Sequence, residues 1–399
     1  MTAHSETFPF DLTGSSVHED AQRLRQQGPA ARVDLSGGIT AWSVTRYDVL
    51  RRLAADNRVS RDAHQHWPGL SAVPADWPLA PFLLSPTVLN AYGTDHTRLR
   101  TIMEAAFTPA RLRPLESRLT ERVQRLLAEL GPGDVVEVRE QYAYVIAGET
   151  LSDLFGVPEE SYAEMFAVIG FLLAPADDPT EAAAGVERAM QFLGALVASK
   201  RDAPGADLAT TVATAPDLTV EERVLALAIT VAGGVPSTTG LITNAAFALL
   251  NHPDQRTAVL NGEIPWSAVV DETLRFDPPV QHMPLRYAVE DLDLGDGVTI
   301  RRGDAILLGF GAVGRDPGRH GDTAATFDLR RLDKEHLAFG HGVHYCIGMS
   351  LGRLEVTTAL SALFEAFPLV ELAQPADTLP SLPGIVFSGK AQLPVRLRP

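Results

Sequence analysis

Phe339-Gly-His-Gly-Val-His-Tyr-Cys-Ile-Gly348 holds the only cysteine of this 399-residue chain, Cys346. A lone thiol forms no intrachain disulfide, and by itself it builds no multi-thiolate zinc or iron–sulfur site. Two chemical roles remain, a nucleophile or the single axial thiolate of a haem iron. Gly340, Gly342 and Gly348 describe a backbone that turns tightly against something flat and bulky, which favours the haem. From Met349 the pattern is helical, so the sulfur is expected at a helix N-terminus. There, unpaired N–H groups and the helix dipole would stabilise a thiolate. A buried structural cysteine is the plain alternative.

The rest of the composition narrows the setting. With 45% hydrophobic and 21% charged residues, the chain has ordinary globular proportions and ample apolar material for a core. A net charge of −16 argues against a nucleic-acid partner, because phosphate binding needs a basic surface. No run reaches about 18 uninterrupted apolar residues, so no membrane-spanning helix is expected. The start, Met1 to Phe8, lacks the basic and apolar regions of a signal peptide. A cytoplasmic location, where the thiol stays reduced, is the expectation.

Outward from the cysteine segment, helical patterns dominate, most clearly between Thr97 and Leu250. Ala31–Leu35 and Ile39–Thr45 flank a Gly37-Gly38 turn and read as a hairpin. Asp291–Leu294, Val298–Ile300 and Ala305–Phe310 read together as a second small sheet. The loop Ala174–Glu181 joins two amphipathic stretches and is expected to act as a mobile lid.

One helix stands out. Thr219-Val-Glu-Glu222 is a capping-box start, and the apolar pattern runs to the stop at Asn251-His-Pro253. About thirty residues at ~1.5 Å each would cross the whole domain. In its middle lies Gly233-Gly234-Val-Pro236-Ser237-Thr238-Thr239, where two glycines and a proline oppose helix propensity by several kcal/mol, at ~1 per Gly and ~3 for Pro. Pro236 cannot donate to the carbonyl of Ala232, so a break is expected there, where something fits against the backbone. A harmless kink is the competing reading. A further motif, Glu272-Thr-Leu-Arg275, puts two charges on one helix face. Ala268, Val269 and Phe276 share that face, so the pair is expected on an apolar stripe, where a buried guanidinium demands further partners.

Together these segments resemble the cytochrome P-450 family of haem-thiolate monooxygenases. The cysteine segment fits the family pattern through Phe339, Gly340, Gly342, His344, Cys346 and Gly348. Glu272 and Arg275 fit its helix motif, and Arg331, eight residues before Phe339, matches the arginine that completes a buried triad. The resemblance spans the chain and is closest to soluble bacterial members that tailor macrolides, other polyketides and steroids. It implies a mainly α, single-domain fold over residues 1–399, with small β-sheets and a long kinked central helix over a haem (heme b). Cys346 would be the proximal iron ligand. His96 and Arg100, one helical turn apart, with Arg286 and His344, match the contacts to the haem propionates, which need polar partners in an apolar slot.

The central helix departs from the family, which usually places an acid followed by a threonine in it. Counting back from His252-Pro253-Asp254, those positions are Pro236 and Ser237, with Thr238 and Thr239 beside them. Proton delivery is then expected to use water held by the free carbonyl near Ala232, Ser237 itself, or a substrate hydroxyl. The fatty-acid peroxygenases of the family also lose the pair but gain an arginine before a proline. Here Val235 stands in that place.

The resemblance implies hydroxylation of a bulky apolar small molecule with O2. The alternatives are an oxidase that forms a C–C or C–O bond without inserting oxygen, and a non-enzymatic haem protein. Electrons would come from a ferredoxin and its reductase, docking on Arg111, Arg113 and Arg353, and the chain is expected to be monomeric. By family position, the substrate pocket is assigned to 64–90, 166–188, Val280, Gln281, His282, Met283, Ile385, Val386 and Phe387, with Gln281 and His282 orienting the ligand.

Overall fold

The computed structural model describes residues 7–10, 13–35, 37–74, 77, 79–131, 133, 135–174 and 176–398, with the side chains of 81, 82 and 284 outside that description. Pro175 of the expected lid and residues 1–6 of the start therefore lie outside the described residues. The chain is mainly helical with small sheets. Its axis is the helix Val220–Asn251, hereafter the central helix. Thr219 Oγ1 accepts from the N–H of Glu222 at 3.1 Å, and Glu222 Oε2 accepts from the N–H of Thr219 at 2.7 Å. This reciprocal capping box satisfies two of the first-turn donors.

The central helix serves two apolar clusters. Val224, Leu227, Val231 and Val235 pack with Leu151, Phe155, Met165 and Leu193. Leu241, Ile242, Ala245 and Leu249 pack with Ile146, Val356, Leu360 and Phe364. Each fully buried aliphatic side chain contributes about 1.5–3 kcal/mol, so the helix is held from both ends. The changeover between clusters, from Val235 to Leu241, is where the glycines, Ser237 and Thr238 turn toward a cavity. By length and composition this helix would pass for a membrane span, but 50% of its most apolar window is buried against neighbouring helices, as in a core helix.

The expected break is absent: helical structure continues through Pro236. Beside it the Ser237 hydroxyl donates to the carbonyl of Gly233 at 2.6 Å and lies 3.2 Å from that of Gly234. The carbonyl that the proline leaves without its helical donor is that of Ala232, one residue before the one that Ser237 reaches.

The largest sheet has six strands in the order Phe8–Pro9, Ala31–Asp34, Thr40–Val44, Ala305–Gly309, His282–Ala288, Val59–Ser60. The expected hairpin forms its antiparallel pair, Ala31–Asp34 with Thr40–Val44. The second sheet is corrected. Leu292–Gly295 pairs with Val298–Ile300 alone, while Ala305–Gly309 joins Thr40–Val44 and His282–Ala288. Ala305–Gly309 is buried at every position, so a two-sided place inside the larger sheet suits it better than the edge of an exposed hairpin. Val135–Glu137, within the stretch read as helical, pairs with Pro394–Arg396.

Glu272 and Arg275 lie on the helix Trp266–Phe276, both completely buried. Arg275 donates to both Glu272 oxygens at 2.8 and 2.7 Å, and to the carbonyls of Gly314, Ala324 and Thr326. Arg331 lies 3.9 Å from Glu272 and donates to Thr323 and His320. The pair therefore fastens the helix to the segment that leads into the cysteine turn.

Candidate active site

The cysteine segment folds as a closed turn. Cys346 N–H donates to the Phe339 carbonyl at 2.8 Å, and Tyr345 N–H to that of Gly342 at 3.0 Å. Gly340 and Gly342 have φ of 79° and 76°, a region that penalises a side chain. At Gly342 a Cβ would also lie 2.6 Å from the Ala54 carbonyl oxygen. The following helix, Met349–Ala366, carries the turn against the central helix.

Between these two helices lies a cavity of about 300 Å³. Cys346 is exposed, and what it faces is this cavity. Its thiol is pushed up by burial, and the Gly348 N–H and Arg100 pull the other way. The Gly348 N–H, at the start of the following helix, acts in the direction the sequence leads one to expect, and burial outweighs it. A bound metal ion deprotonates a coordinating thiol outright.

The same cavity is lined by a cluster of nitrogen donors: His96, Arg100, Arg286, His344 and Arg61. The His96 and His344 rings are 4.3 Å apart. Burial, followed by Arg61, Arg286, His96 and Arg100, drives His344 far below the usual histidine range. Burial, then Arg100, lowers His96, and burial, then Arg61, lowers Arg286 to about 9. His96 Nε2 and Arg286 Nε are buried without a hydrogen-bond partner, a cost of about 1–3 kcal/mol for each such group. Clustered donors beside an apolar slot with a thiol fit a flat apolar ligand that carries carboxylates and an iron. Haem is such a ligand. His96, Arg100, Arg286, His344 and Arg61 would hold its carboxylates, and Cys346 its iron. When bound, that group supplies dioxygen activation, with thiolate donation favouring O–O cleavage.

Of the expected pocket, Val280, Met283, Val386 and Phe387 line the cavity, with Val88 and Leu89 from the 64–90 segment. Residues 75, 76, 78 and the side chains of 81 and 82 lie outside the described residues. A register shift between Met283 and Arg286 turns both toward the cavity, although strict alternation would put them on opposite faces.

Four expectations are corrected. Gln281 and His282 face away: Gln281 Nε2 donates to the Pro278 carbonyl at 3.1 Å and its amide covers Gly311, while His282 Nδ1 is 2.8 Å from the Ile385 carbonyl with its ring against Phe10. Ile385 shares that side. None of the described residues of 166–188 lines the cavity, since this segment buries its apolar residues against Ala147–Phe155 and the central helix. Pro236 does not line it either, whereas Gly233, Gly234, Ser237 and Thr238 do. Arg353, expected among the docking arginines, is one-third exposed, pairs with Asp271 at 2.5 Å and lies over Phe339, which leaves that expectation as it stood.

Sequence reasoning missed two residues. Arg61, almost wholly buried, follows a two-residue strand and carries no local pattern. Glu355 is the only acid among the described lining residues, and burial raises its carboxyl to about 8. It did carry a signal, because it occupies the apolar stripe of Leu351, Val356, Ala359 and Leu360.

A lone thiol and a cluster of nitrogen donors that line one apolar slot between two long helices fit a haem-thiolate protein. The comparisons with known proteins agree. The family model for cytochrome P450 matches residues 266–392. The 2-hydroxy-5-methyl-1-naphthoate 7-hydroxylase of Streptomyces carzinostaticus is 37% identical, covering 98% of this chain and 97% of its own. The cytochrome P450 monooxygenase PikC of Streptomyces venezuelae is 34% identical, covering 94% and 90%. The structure of CYP154A1 from Streptomyces coelicolor A3(2) superposes with a TM-score of 0.90 at 40% identity, covering 98% of this chain and 100% of that one. This chain belongs to the cytochrome P450 family, and it is a haem-thiolate monooxygenase.

Proposed function

We propose that the protein hydroxylates a bulky, weakly polar natural product of the polyketide, macrolide or steroid kind, with O2 and electrons from a ferredoxin and its reductase. The carrying observation is the division of the cavity. The clustered nitrogen donors are taken up by the carboxylates of the cofactor, and what remains for substrate is the apolar wall of Val88, Leu89, Ile229, Val280, Met283 and Phe387. Such a wall selects for shape and apolar area, with few polar contacts to fix orientation. The hydroxylase of S. carzinostaticus acts, by its name, on a substituted naphthoate, a ring compound of this general kind.

The residues of this chain then have separable tasks. Cys346 ligates the iron, and His96, Arg100, Arg286 and His344 orient the cofactor. The apolar wall excludes water and holds a C–H bond toward the centre of the cavity. Ser237 has its proton engaged by Gly233, so it offers lone pairs, not a free donor. A chain with one cysteine holds no iron–sulfur cluster of its own, which supports a separate electron carrier. We read the protein as monomeric and cytoplasmic, a single folding unit with its thiol kept reduced.

A second reading, an oxidase that joins atoms without inserting oxygen, is favoured by one observation: Pro236 stands where the family places an acid. Spectral titration of the haem-loaded protein with a macrolactone, a steroid and a hydroxynaphthoate selects the substrate. Turnover under isotopically labelled O2 then decides, because hydroxylation adds a labelled oxygen and coupling only removes hydrogen.

A further inference from the structure

Once the nitrogen-donor cluster is given to the cofactor, few polar side chains remain on the cavity wall. Among the described lining residues outside the cysteine turn these are Thr230, Ser237, Thr238 and Glu355. Thr238 is engaged with Glu355 at 3.4 Å. Thr230 stands apart, two helical turns before Ser237 on the same face of the central helix. At ~1.5 Å per residue, the two positions are about 10 Å apart along the axis. Between them lie Gly233 and Gly234, where the wall bears no side chain. Gly233 has no positive φ, and a Cβ there would meet nothing within 4 Å. Neither the backbone nor a neighbouring residue demands glycine at that point, so the bare wall leaves room for a ring of the substrate.

The polarity of Thr230 is fixed by its own hydrogen bond. Its Oγ1 donates to the Ala226 carbonyl at 2.7 Å, as Ser237 Oγ donates to that of Gly233 at 2.6 Å. A hydroxyl has one proton and two lone pairs. With its proton turned back into the helix, Thr230 offers the cavity an acceptor and no donor. The rest of the substrate wall, with Val88, Leu89 and Ile229, is apolar. A substrate donor buried against that wall is penalised unless an acceptor meets it.

We propose that Thr230 is the orienting contact for the substrate, its oxygen accepting a hydrogen bond from a hydroxyl carried by an apolar ring compound. This deepens the reading of the cavity as the site of a bulky, weakly polar molecule, and it rests on that reading. Discrimination follows from sign. An alcohol or phenol donates to Thr230, whereas an ether, ketone or carboxylate at the same point sets lone pairs against lone pairs. A site built to meet a substrate hydroxyl rejects the analogue that lacks it.

The test is spectral titration of haem-loaded wild type, Thr230→Val, Thr230→Ser and Ser237→Ala. Two matched pairs serve as probes: 2-naphthol with its methyl ether, and estrone with its 3-methyl ether. Wild type should bind each hydroxyl compound about three- to tenfold more tightly than its ether, the range of one net hydrogen bond. Thr230→Val should erase that preference by weakening the hydroxyl compounds alone. Thr230→Ser should restore it, and in Ser237→Ala it should persist. A merely structural role for Thr230 would weaken hydroxyl compound and ether alike, and that result would overturn the proposal. Equal affinities within each pair in wild type would also overturn it, and this comparison stands even where Thr230→Val loses haem. A preference that survives Thr230→Val and vanishes in Ser237→Ala would move the contact to Ser237 and overturn it too. If neither pair bound, the reading of the site as one for apolar ring compounds would fall and the proposal with it, whereas binding without preference overturns the proposal alone.

Discussion

His96 Nε2 and Arg286 Nε are buried donors without partners in the protein, and that cost makes sense only if a ligand repays it. Replacing Arg286 with leucine removes a charge-assisted contact of about 1.5–3 kcal/mol. Haem should then transfer to an apo-globin acceptor about ten- to a hundredfold faster, with the thiolate spectrum kept; an unchanged transfer rate would remove Arg286 from the cofactor contacts. At this scale legibility followed distance along the chain. His96 and Arg100 share one helical turn, and the cysteine segment is contiguous, so both could be read. Arg61 reaches the cavity only because sheet pairing brings Val59–Ser60 beside His282–Ala288, and nothing local announces that. Gln281 and His282 were misread because polarity next to an apolar run suggests a ligand contact, whereas here it satisfies the Pro278 and Ile385 carbonyls.

The central helix and the Glu272–Arg275 helix carry the element-scale expectations. Pro236 lies inside unbroken helix with Ser237 bonding the Gly233 carbonyl. Pro236→Ala returns an N–H to the carbonyl of Ala232 and should raise stability, by at most ~3 kcal/mol, read from denaturant midpoints. A large destabilisation would mean that the proline shapes the helix in a way the surrounding packing requires. Removing the Glu272 carboxylate leaves Arg275 as a charge with no exposure to water, at a cost of ~3–5 kcal/mol. Glu272→Ala should therefore lose haem and unfold at much lower denaturant, and a wild-type midpoint would show that the carbonyls of Gly314, Ala324 and Thr326 suffice for Arg275. The boundaries of both helices were legible from a capping box and from Pro278-Pro279. The continuity through Pro236 was not, because propensity is a local quantity and the two apolar clusters that hold the helix straddle the proline. Ala305–Gly309 was misassigned for a related reason: its long-range partners lie in Thr40–Val44 and His282–Ala288.

Across the whole molecule the fold is a clamp, two long helices and a cysteine turn closed by distant strands, and its stability depends on histidines buried in the neutral form. Burial lowers His282 and His336 to about 4, against about 6.5 when unfolded. Between those values the unfolded chain binds protons that the native chain does not, so their contribution to stability, complete above pH ~6.5, is lost as pH falls toward ~4. The melting temperature should fall steeply through that window, and His282→Gln should flatten the fall; an equal slope in the variant would place the proton uptake elsewhere. The mainly helical class and the haem-thiolate site were legible because one short segment carries most of the chemistry. The substrate wall was not, because it is assembled from segments far apart in the chain. All of this turns on Cys346 as the axial thiolate. The most direct measurement is the absorption spectrum of the reduced carbonyl complex for wild type and Cys346→His. The expected result is the long-wavelength thiolate band in wild type and its replacement by an imidazole-type band in the variant. A variant that kept the long-wavelength band would contradict it.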